Sequence, residues 1–365
     1  MMKKYFLSLL LLLYAVSPLY SHSAEPDVNI LFISSAHSNK AKVKLLKKAA
    51  SEHELNWNIS QKAARSFKKP EDALLEMNKY EIVVLDGVSS RESKSTYETY
   101  LPLITQSQSK VITPNWLSQK TAQKGLSETQ QNTIKDYWVN AGRTNLSNML
   151  GYIAMDVLNK PKAANIEVAA PIIFPEKGLY HPEYNNLIAK DLETFWNWRK
   201  PEANQPKIAL LFTRSSIETE STALVDETIT ALENRGAAVL PFFFKLARGE
   251  QSYDELLYLP GKPEPEVEVD LIINFRNIHW ANQRKVEFEK FGVPVIQAMT
   301  YYSGDQKAWE DDVQGVDMGM MAFTLVLPEG AGVTDPLIVA ASDRSQSSIE
   351  IIDYQHKHLV NKAMN

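Results

Sequence analysis

The sequence predicts an α/β protein with two doubly wound parallel-sheet domains joined by a helical segment. Three observations support this. Short apolar runs alternate with helical stretches over residues 25–115, and the same alternation returns over residues 171–345. Between them, residues 116–170 show helical periodicity and then an irregular hinge around Pro161. Strands that alternate with helices indicate parallel pairing with right-handed crossovers.

The first domain is predicted from strands at residues 29–33, 55–59, 81–85 and 110–113 and helices at residues 40–54, 71–80 and 96–106. In the bridge, Ser127 and Gln130 form a capping box and Gly142 ends that helix. An amphipathic stripe then runs through residues 146–157. These two helices are expected to pack against the first sheet or to bridge the domains. Residues 160–170 are the predicted hinge.

The clearest unit of the second domain is Lys207 to Phe244, which predicts strand, polar loop, helix and strand. Residues 208–212 are uninterruptedly apolar, as in a strand buried on both faces. Apolar residues then recur at helical spacing, and Gly236 stands where a left-handed helix cap is needed. The loop Thr213 to Ser221 follows a strand and precedes a helix, which is where doubly wound proteins bind ligands.

Around that unit the pattern is less regular. Pro171 to Glu183 (PIIFPEKGLYHPE) is interpreted as a loop because prolines and Gly178 interrupt it. The remaining predicted elements are helices at residues 191–199, 283–291 and 356–364 and strands at residues 270–274, 294–297, 325–327 and 337–341. Residues 301–309 are predicted to form a loop.

Met1 to Ala24 is interpreted as a secretory signal peptide. It has Lys3 and Lys4, an apolar centre and small residues near the end. A membrane anchor is the less favoured alternative, because the apolar run is shorter than the roughly 20 residues that span a bilayer. The chain has no cysteine, so its stability is expected to come from its core. We therefore predict a periplasmic protein that does not associate with the membrane after cleavage.

Composition narrows the function classes. The formal net charge of −5 disfavours nucleic-acid binding. The sequence contains no glycine-rich phosphate loop, no nucleophile elbow and no zinc-helix histidine pair, so we predict no direct ATP site.

What remains is a set of polar side chains on loops at strand ends. They are Arg214, Ser215, Ser216, Glu218, Glu220, Thr222, Arg276, Asn277, His279, Trp280, Gln297, Thr300, Tyr301 and Tyr302, with His181 in GLYHPE. An arginine directly after a buried strand, such as Arg214, can point at an anionic group.

The histidines and acidic residues in this set allow two interpretations each. His181 and His279 are either loop histidines bonded to the backbone or contacts to a ligand or metal. Glu218 and Glu220 are interpreted as a solvated loop at a helix amino end in preference to a metal site. His37 is the weakest candidate. His356 and His358 are expected at the surface.

Several segments in a fixed order resemble the amino-terminal part of the CobN/magnesium chelatase large-subunit family. They are DYWVNAGRTNLSNMLGYI, PEKGLYHPE, the stretch from IALLFTR to LPFFF, VPVIQAMTYY and DDVQGVDMGMMAFTLVLPEGAGVTDPLIVA, and they cover about residues 110–345. The loop after Arg214 departs from the family pattern, since Thr213 precedes the arginine and SSIETES follows it.

The resemblance implies a tetrapyrrole ligand and a divalent metal such as Co, Mg or Fe, inserted into or removed from the ring with other chelatase subunits. It implies that Arg214 and Arg276 face propionates and that Trp280, Tyr301 and Tyr302 pack on the macrocycle. His181 or His279 would approach the metal.

Two features of this chain depart from the family pattern and change the function that we expect. Family members are commonly much longer, so we expect a fragment whose residues 346–365 start a truncated region. The signal peptide would place the chain outside the ATP-containing cytoplasm, which suits a link to an outer-membrane uptake system for haem or corrinoids. The alternative function is a periplasmic two-domain ligand-binding protein without catalysis.

Overall fold

A computed structural model describes residues 25–34, 40–87, 100–114, 124–244, 252–258, 267–316, 318–319, 321–343 and 348–365. It contains a four-stranded sheet and a nine-stranded sheet, each covered by helices on both faces. The predicted fold class, α/β with two doubly wound sheets, is confirmed. The predicted signal peptide and His37 lie outside the described residues. None of the described helices is long and apolar enough to cross a bilayer.

The first sheet is parallel throughout, in the order β2-β1-β3-β4. Alternate residues of β1 enter different cores: Phe32 packs with the first helix and the two bridge helices, whereas Leu31 packs on the opposite face. The elements are β1 Val28–Ser34, α1 Lys40–Glu52, β2 Trp57–Ala63, α2 Pro70–Met77, β3 Ile82–Asp86, α3 at residues 100–106, β4 Lys110–Ile112, α4 Glu128–Asn140 and α5 Gly142–Tyr152.

Helices α4 and α5 lie in the segment at residues 116–170 that was predicted to join the domains. They pack in the core of the first sheet, so we count them with the first domain. The capping box of Ser127 and Gln130 begins α4 as predicted. The chain breaks between α4 and α5 at Ala141 (φ 44°) and Gly142 (φ 72°), both in the left-handed region. A π-helical turn, Ile153–Val157, extends α5, and a 3₁₀ turn, Pro161–Ala163, follows. Of the two arrangements considered for these helices, packing against the first sheet is therefore observed.

The second sheet has five central parallel strands in the order β8-β7-β9-β10-β12, with antiparallel strands at its edges. The strands are β5 Lys177–Tyr180, β6 Ile188–Ala189, β7 Lys207–Thr213, β8 Ala238–Phe244, β9 Leu271–Asn274, β10 Val295–Tyr301, β11 Ser303–Gly304, β12 Thr334–Asp343 and β13 Ser348–Ile351. The helices are α6 Leu192–Arg199, α7 Arg214–Glu218, α8 Ala223–Glu233, α9 Asp254–Leu257, α10 Ala281–Phe291, α11 Gln306–Glu310, α12 Leu327–Gly330 and α13 Asp353–Ala363.

Several predicted elements were wrong in type. The segment Pro171 to Glu183, interpreted as a loop, contains strand β5, and the predicted loop at residues 301–309 contains β11 and most of α11. The predicted strand at residues 325–327 is helical, because it joins the π-helical turn Ala322–Val326 to α12, and a three-residue apolar run does not distinguish helix from strand. The predicted loop after β7 begins with the short helix α7. Strand β10 continues through Tyr301, pairing with β12, where a loop was expected.

His356 is buried, contrary to the prediction, because α13 packs against α8. The hydroxyl of Thr228 donates to the carbonyl of Leu224 at 2.7 Å and accepts from His356 Nε2 at 2.9 Å. His358 is exposed, as predicted.

We expect His356 to make stability depend on pH. Burial lowers the pKa of His356 below its ordinary 6.5, although the carboxylates of Glu227 and Asp353 oppose this shift. The folded state thus prefers the neutral ring, and its contribution is present above pH 6.5 and lost as pH falls through the lower folded pKa. Denaturation by urea at about pH 7 and about pH 5 should show a smaller loss of stability for H356Q than for the unchanged chain. H358Q is the matched exposed control. An equal loss of stability between the two pH values for H356Q and for the unchanged chain would contradict this role of His356.

Candidate functional site

The carboxyl edge of the second sheet carries a buried polar pair that shapes the loop after β9. Asn274 and Gln297 are aligned neighbours at the end of β9 and in β10, and both are buried. The side-chain amide of Asn274 donates to Gln297 Oε1 at 2.8 Å and to the carbonyl of Arg276 at 2.9 Å, while its oxygen accepts from the Arg276 backbone at 3.0 Å. These bonds fix the backbone at Arg276, so the following residues leave the sheet in a defined direction.

That loop brings together three of the predicted site residues. Arg276 is partly exposed, and its guanidinium has no hydrogen-bond or ion-pair partner among the residues that the structure describes. The His279 ring packs 4.8 Å from the ring of Phe323 and 5.8 Å from that of Trp280, centroid to centroid. Trp280 is 39% exposed. A cation, an imidazole and two aromatic faces therefore lie side by side at the carboxyl end of β9.

The electrostatics favour the neutral form of His279. Packing against its neighbours lowers the pKa of His279, and the positive charge of Arg276 lowers it further. A neutral imidazole is the form that can bind a metal ion. Within the described parts of the chain, no group of three or more His, Cys, Asp or Glu side chains forms a metal site. His279 thus offers a single ligand.

The two predicted tyrosines differ in accessibility. Tyr301 is 5% exposed and its hydroxyl donates to Asp312 Oδ2 at 2.9 Å, so its ring is part of the core beside β12. Tyr302 is partly exposed and lines a small apolar cavity with Met299 and Ile338. This cavity has a volume of about 10 Å³, about the room one water molecule needs. Of the pair, Tyr302 is the more exposed.

Arg214 lies in a different environment from the one expected. It is 2% exposed, and its guanidinium contacts Glu218 Oε1 at 3.3 Å, Asn140 Oδ1 at 2.8 Å and the carbonyl of Phe174 at 3.2 Å. Asn140 ends α4 of the first domain. The side chain therefore faces protein groups at the junction of the two domains, because the first domain covers this end of β7.

Glu218 is also buried at this junction, so the solvated loop expected for it was wrong. Its Oε2 lies 2.9 Å from Nζ of Lys42 in α1, and the same Nζ donates to the carbonyls of Trp138 and Val139 at 3.1 and 3.2 Å. At the rim, Glu220 accepts from the backbone and guanidinium of Arg143 at 2.8 and 3.0 Å. The loop predicted to bind a ligand is thus occupied by side chains of the first domain.

His181 lies at the opposite edge of the second sheet from Arg276 and His279. Since β5 runs antiparallel to β8, its carboxyl end lies at the amino edge of the parallel strands. Nδ1 of His181 accepts from the backbone of Glu183 at 3.2 Å, which places the ring proton on Nε2, and Nε2 lies 3.3 Å from Glu233 Oε1. Both ring nitrogens are therefore engaged, and His181 is far from the edge that carries His279.

Glu233 holds the His181 ring in place and also binds Arg199. Arg199 donates to Glu233 Oε1 from Nε and Nη2 at 2.9 and 2.6 Å, and the indole of Trp198 packs edge-on against the His181 ring at 4.9 Å. Burial raises the pKa of Glu233, but the hydrogen bonds from His181 and Arg199 outweigh burial and lower it. The GLYHPE motif thus ties β5 to the ends of α6 and α8.

Four residues that shape these environments were not predicted from the sequence: Asn274, Lys42, Asn140 and Glu233. Asn274 carries a usable signal, since it is the polar last residue of an apolar strand next to a candidate loop. The other three make contacts between distant segments, for which the local sequence carries no signal.

The fold and this edge define a two-domain, doubly wound α/β protein with candidate ligand-binding groups after β9. The chain belongs to the CobN/Magnesium Chelatase family, whose model matches residues 135–365. It is 35% identical over 213 residues to a magnesium-chelatase subunit of Cereibacter sphaeroides, covering 56% of this chain and 17% of that protein. It is 26% identical over 200 residues to the aerobic cobaltochelatase subunit CobN of a Sinorhizobium species, covering 54% of this chain and 15% of that protein.

A solved structure has the same fold. The catalytic subunit of cobaltochelatase from Mycobacterium tuberculosis matches 93% of this chain and 27% of its own length, with a TM-score of 0.57 and 14% identity. The chain spans about a sixth of the length of the curated chelatase subunits that it matches.

Proposed function

We propose that this chain is the tetrapyrrole-binding part of a chelatase-type large subunit of the cobaltochelatase kind, acting in metal insertion into, or removal from, a porphyrin or corrin ring. Membership of the CobN/Magnesium Chelatase family supports the class of protein. The observation that carries the ligand assignment is the grouping of Arg276, His279, Trp280 and Phe323 at one edge of the second sheet.

The chemistry of that grouping matches a tetrapyrrole. A guanidinium suits a propionate carboxylate because it can donate two parallel hydrogen bonds. The indole of Trp280 and the ring of Tyr302 offer flat apolar faces for a macrocycle. The neutral ring of His279 suits a bound divalent metal, which enters as substrate. Arg214, His181 and Tyr301 are left out of this site because they are buried and each is bonded to other side chains of the protein.

The setting of the reaction is part of the same proposal. The signal-peptide-like Met1 to Ala24 supports export to the periplasm. There the chain would work with other chelatase subunits or with an outer-membrane uptake system for haem or corrinoids.

Absorbance titration with a porphyrin dicarboxylate tests the ligand assignment. The unchanged chain is expected to shift the porphyrin band at micromolar concentration, and R276Q is expected to bind about 10-fold or more weakly, because a charged hydrogen bond contributes about 1.5–3 kcal/mol. R235Q, which changes an exposed arginine just after α8, is the matched control. The porphyrin dimethyl ester should bind both proteins equally. Absence of a spectral shift with the unchanged chain would overturn the proposal.

A further inference from the structure

The junction of the two domains is closed by buried charges. Lys42 and Asn140 come from the first domain, and Arg214 and Glu218 from α7 of the second. They are 8%, 4%, 2% and 7% exposed. The Glu218 carboxylate lies between the Lys42 ammonium at 2.9 Å and the Arg214 guanidinium at 3.3 Å. We name these four residues the junction cluster.

Separating the domains would break this cluster. Lys42 makes contacts with three acceptors, which matches its three donors. Moving the domains apart would take Glu218 away from Lys42 and Asn140 away from Arg214, whereas Arg214 and Glu218 would stay together in α7. Each buried cation would lose a partner from the other domain, and removing a partner from a buried charge is strongly unfavourable. Because the cluster is buried, salt screens it far less than it screens a surface ion pair.

The covalent connection is also held along its length. The side chain of Asn145 donates to the carbonyl of Ile172 and accepts from its backbone N–H, both at 2.8 Å. Asn148 accepts from the backbone of Ala169 at 3.3 Å, and Asn140 accepts from that of Phe174 at 2.9 Å. A hinge needs backbone torsions that can change, and these bonds fix them in residues 169–174.

We infer that the two domains move as one rigid body, locked by the junction cluster and the bound segment 169–174, and that the first domain closes the β7 end of the second sheet to outside ligands. A receptor that closes on its ligand by hinge motion would instead need two domains that can move relative to each other. The inference stands independently of tetrapyrrole binding.

Distance measurement between the domains tests the inference, because the chain has no cysteine and accepts a specific pair of labels. S51C on α1 and Q283C on α10 are both exposed and would carry spin labels in the otherwise unchanged full chain. Pulsed electron resonance should give a single narrow distance distribution. E218Q in the same background should widen it or add a second distance.

The control for E218Q is D311N. Asp311 makes an exposed ion pair with Lys307 at 2.7 Å within the second domain, and the same carboxylate-to-amide change there should leave the distribution narrow. A broad or two-peaked distribution in the labelled protein without E218Q overturns the inference, as does an unchanged narrow one in folded E218Q.

A second measurement covers the case in which E218Q does not fold. The labelled, otherwise unchanged protein is measured at about 0.1 M and at about 1 M KCl, where the screening length falls from about 10 Å to about 3 Å. The buried cluster predicts the same narrow distribution at both. Widening at high salt would show that exposed ion pairs hold the domains together and would overturn the inference.

Discussion

Replacing Trp138 with alanine is expected to destabilise the first domain by about 3–5 kcal/mol, the range for removing a fully buried tryptophan. Trp138 is 1% exposed, and its ring stacks on that of Phe32 with centroids 4.9 Å apart. The truncated side chain would leave a cavity between α4 and β1. The ring of Trp138 also lies under the ammonium of Lys42, 6.0 Å from centroid to Nζ, so the loss extends to the residue that reaches across to Glu218.

Urea denaturation followed by circular dichroism measures this loss without relying on tryptophan fluorescence. W280A is the matched control, because Trp280 is 39% exposed and its removal should change stability little. A loss below about 1 kcal/mol for W138A, typical of an average substitution, would contradict the packing described for α4.

Replacing Glu233 with glutamine is expected to lower the free energy of unfolding by about 1.5–3 kcal/mol, the range for hydrogen bonds to a charged group. Glu233 Oε1 is shared by His181 and by two nitrogens of Arg199. The amide would keep the shape but lose the charge that holds both partners.

The pH dependence of this effect has a defined sign. The net effect of the environment lowers the pKa of Glu233 in the folded state, after burial has raised it. The stabilisation by the carboxylate is therefore present above its ordinary pKa of 4.5 and is lost as pH falls through the lower folded value. E289Q, on the exposed surface of α10, is the control. An E233Q protein as stable as the unchanged chain near pH 7 would contradict the role of the Glu233 carboxylate in holding His181 and Arg199.

Much of the fold could be predicted from the sequence because buried parallel strands are short apolar runs. The strand at residues 208–212, the helix after it and the cap at Gly236 (φ 89°) all follow from local pattern. The antiparallel strand β5 could not, since KGLY is too short and too rich in turn signals to differ from a loop. The direction in which β5 runs depends on its pairing with β8, which is a long-range contact.

The candidate site shows the same division. The rule that ligands bind after the carboxyl ends of parallel strands selected Arg276, His279 and Trp280, and the structure places them together. The same rule selected Arg214, which lies at the correct edge but under the first domain. His181 was selected as a histidine of the GLYHPE motif, in a segment interpreted as a loop, and the antiparallel strand β5 before it ends at the other edge. Domain contacts and strand direction decided these two cases.

Hydrogen exchange with and without a porphyrin dicarboxylate tests most directly whether a tetrapyrrole binds beside β9. Backbone amides in residues 275–280 and 322–326 are expected to exchange more slowly when porphyrin is bound, with α7 and the segment around His181 unchanged. Binding of porphyrin without slower exchange in residues 275–280, or with the protected amides at α7, would contradict binding at this edge.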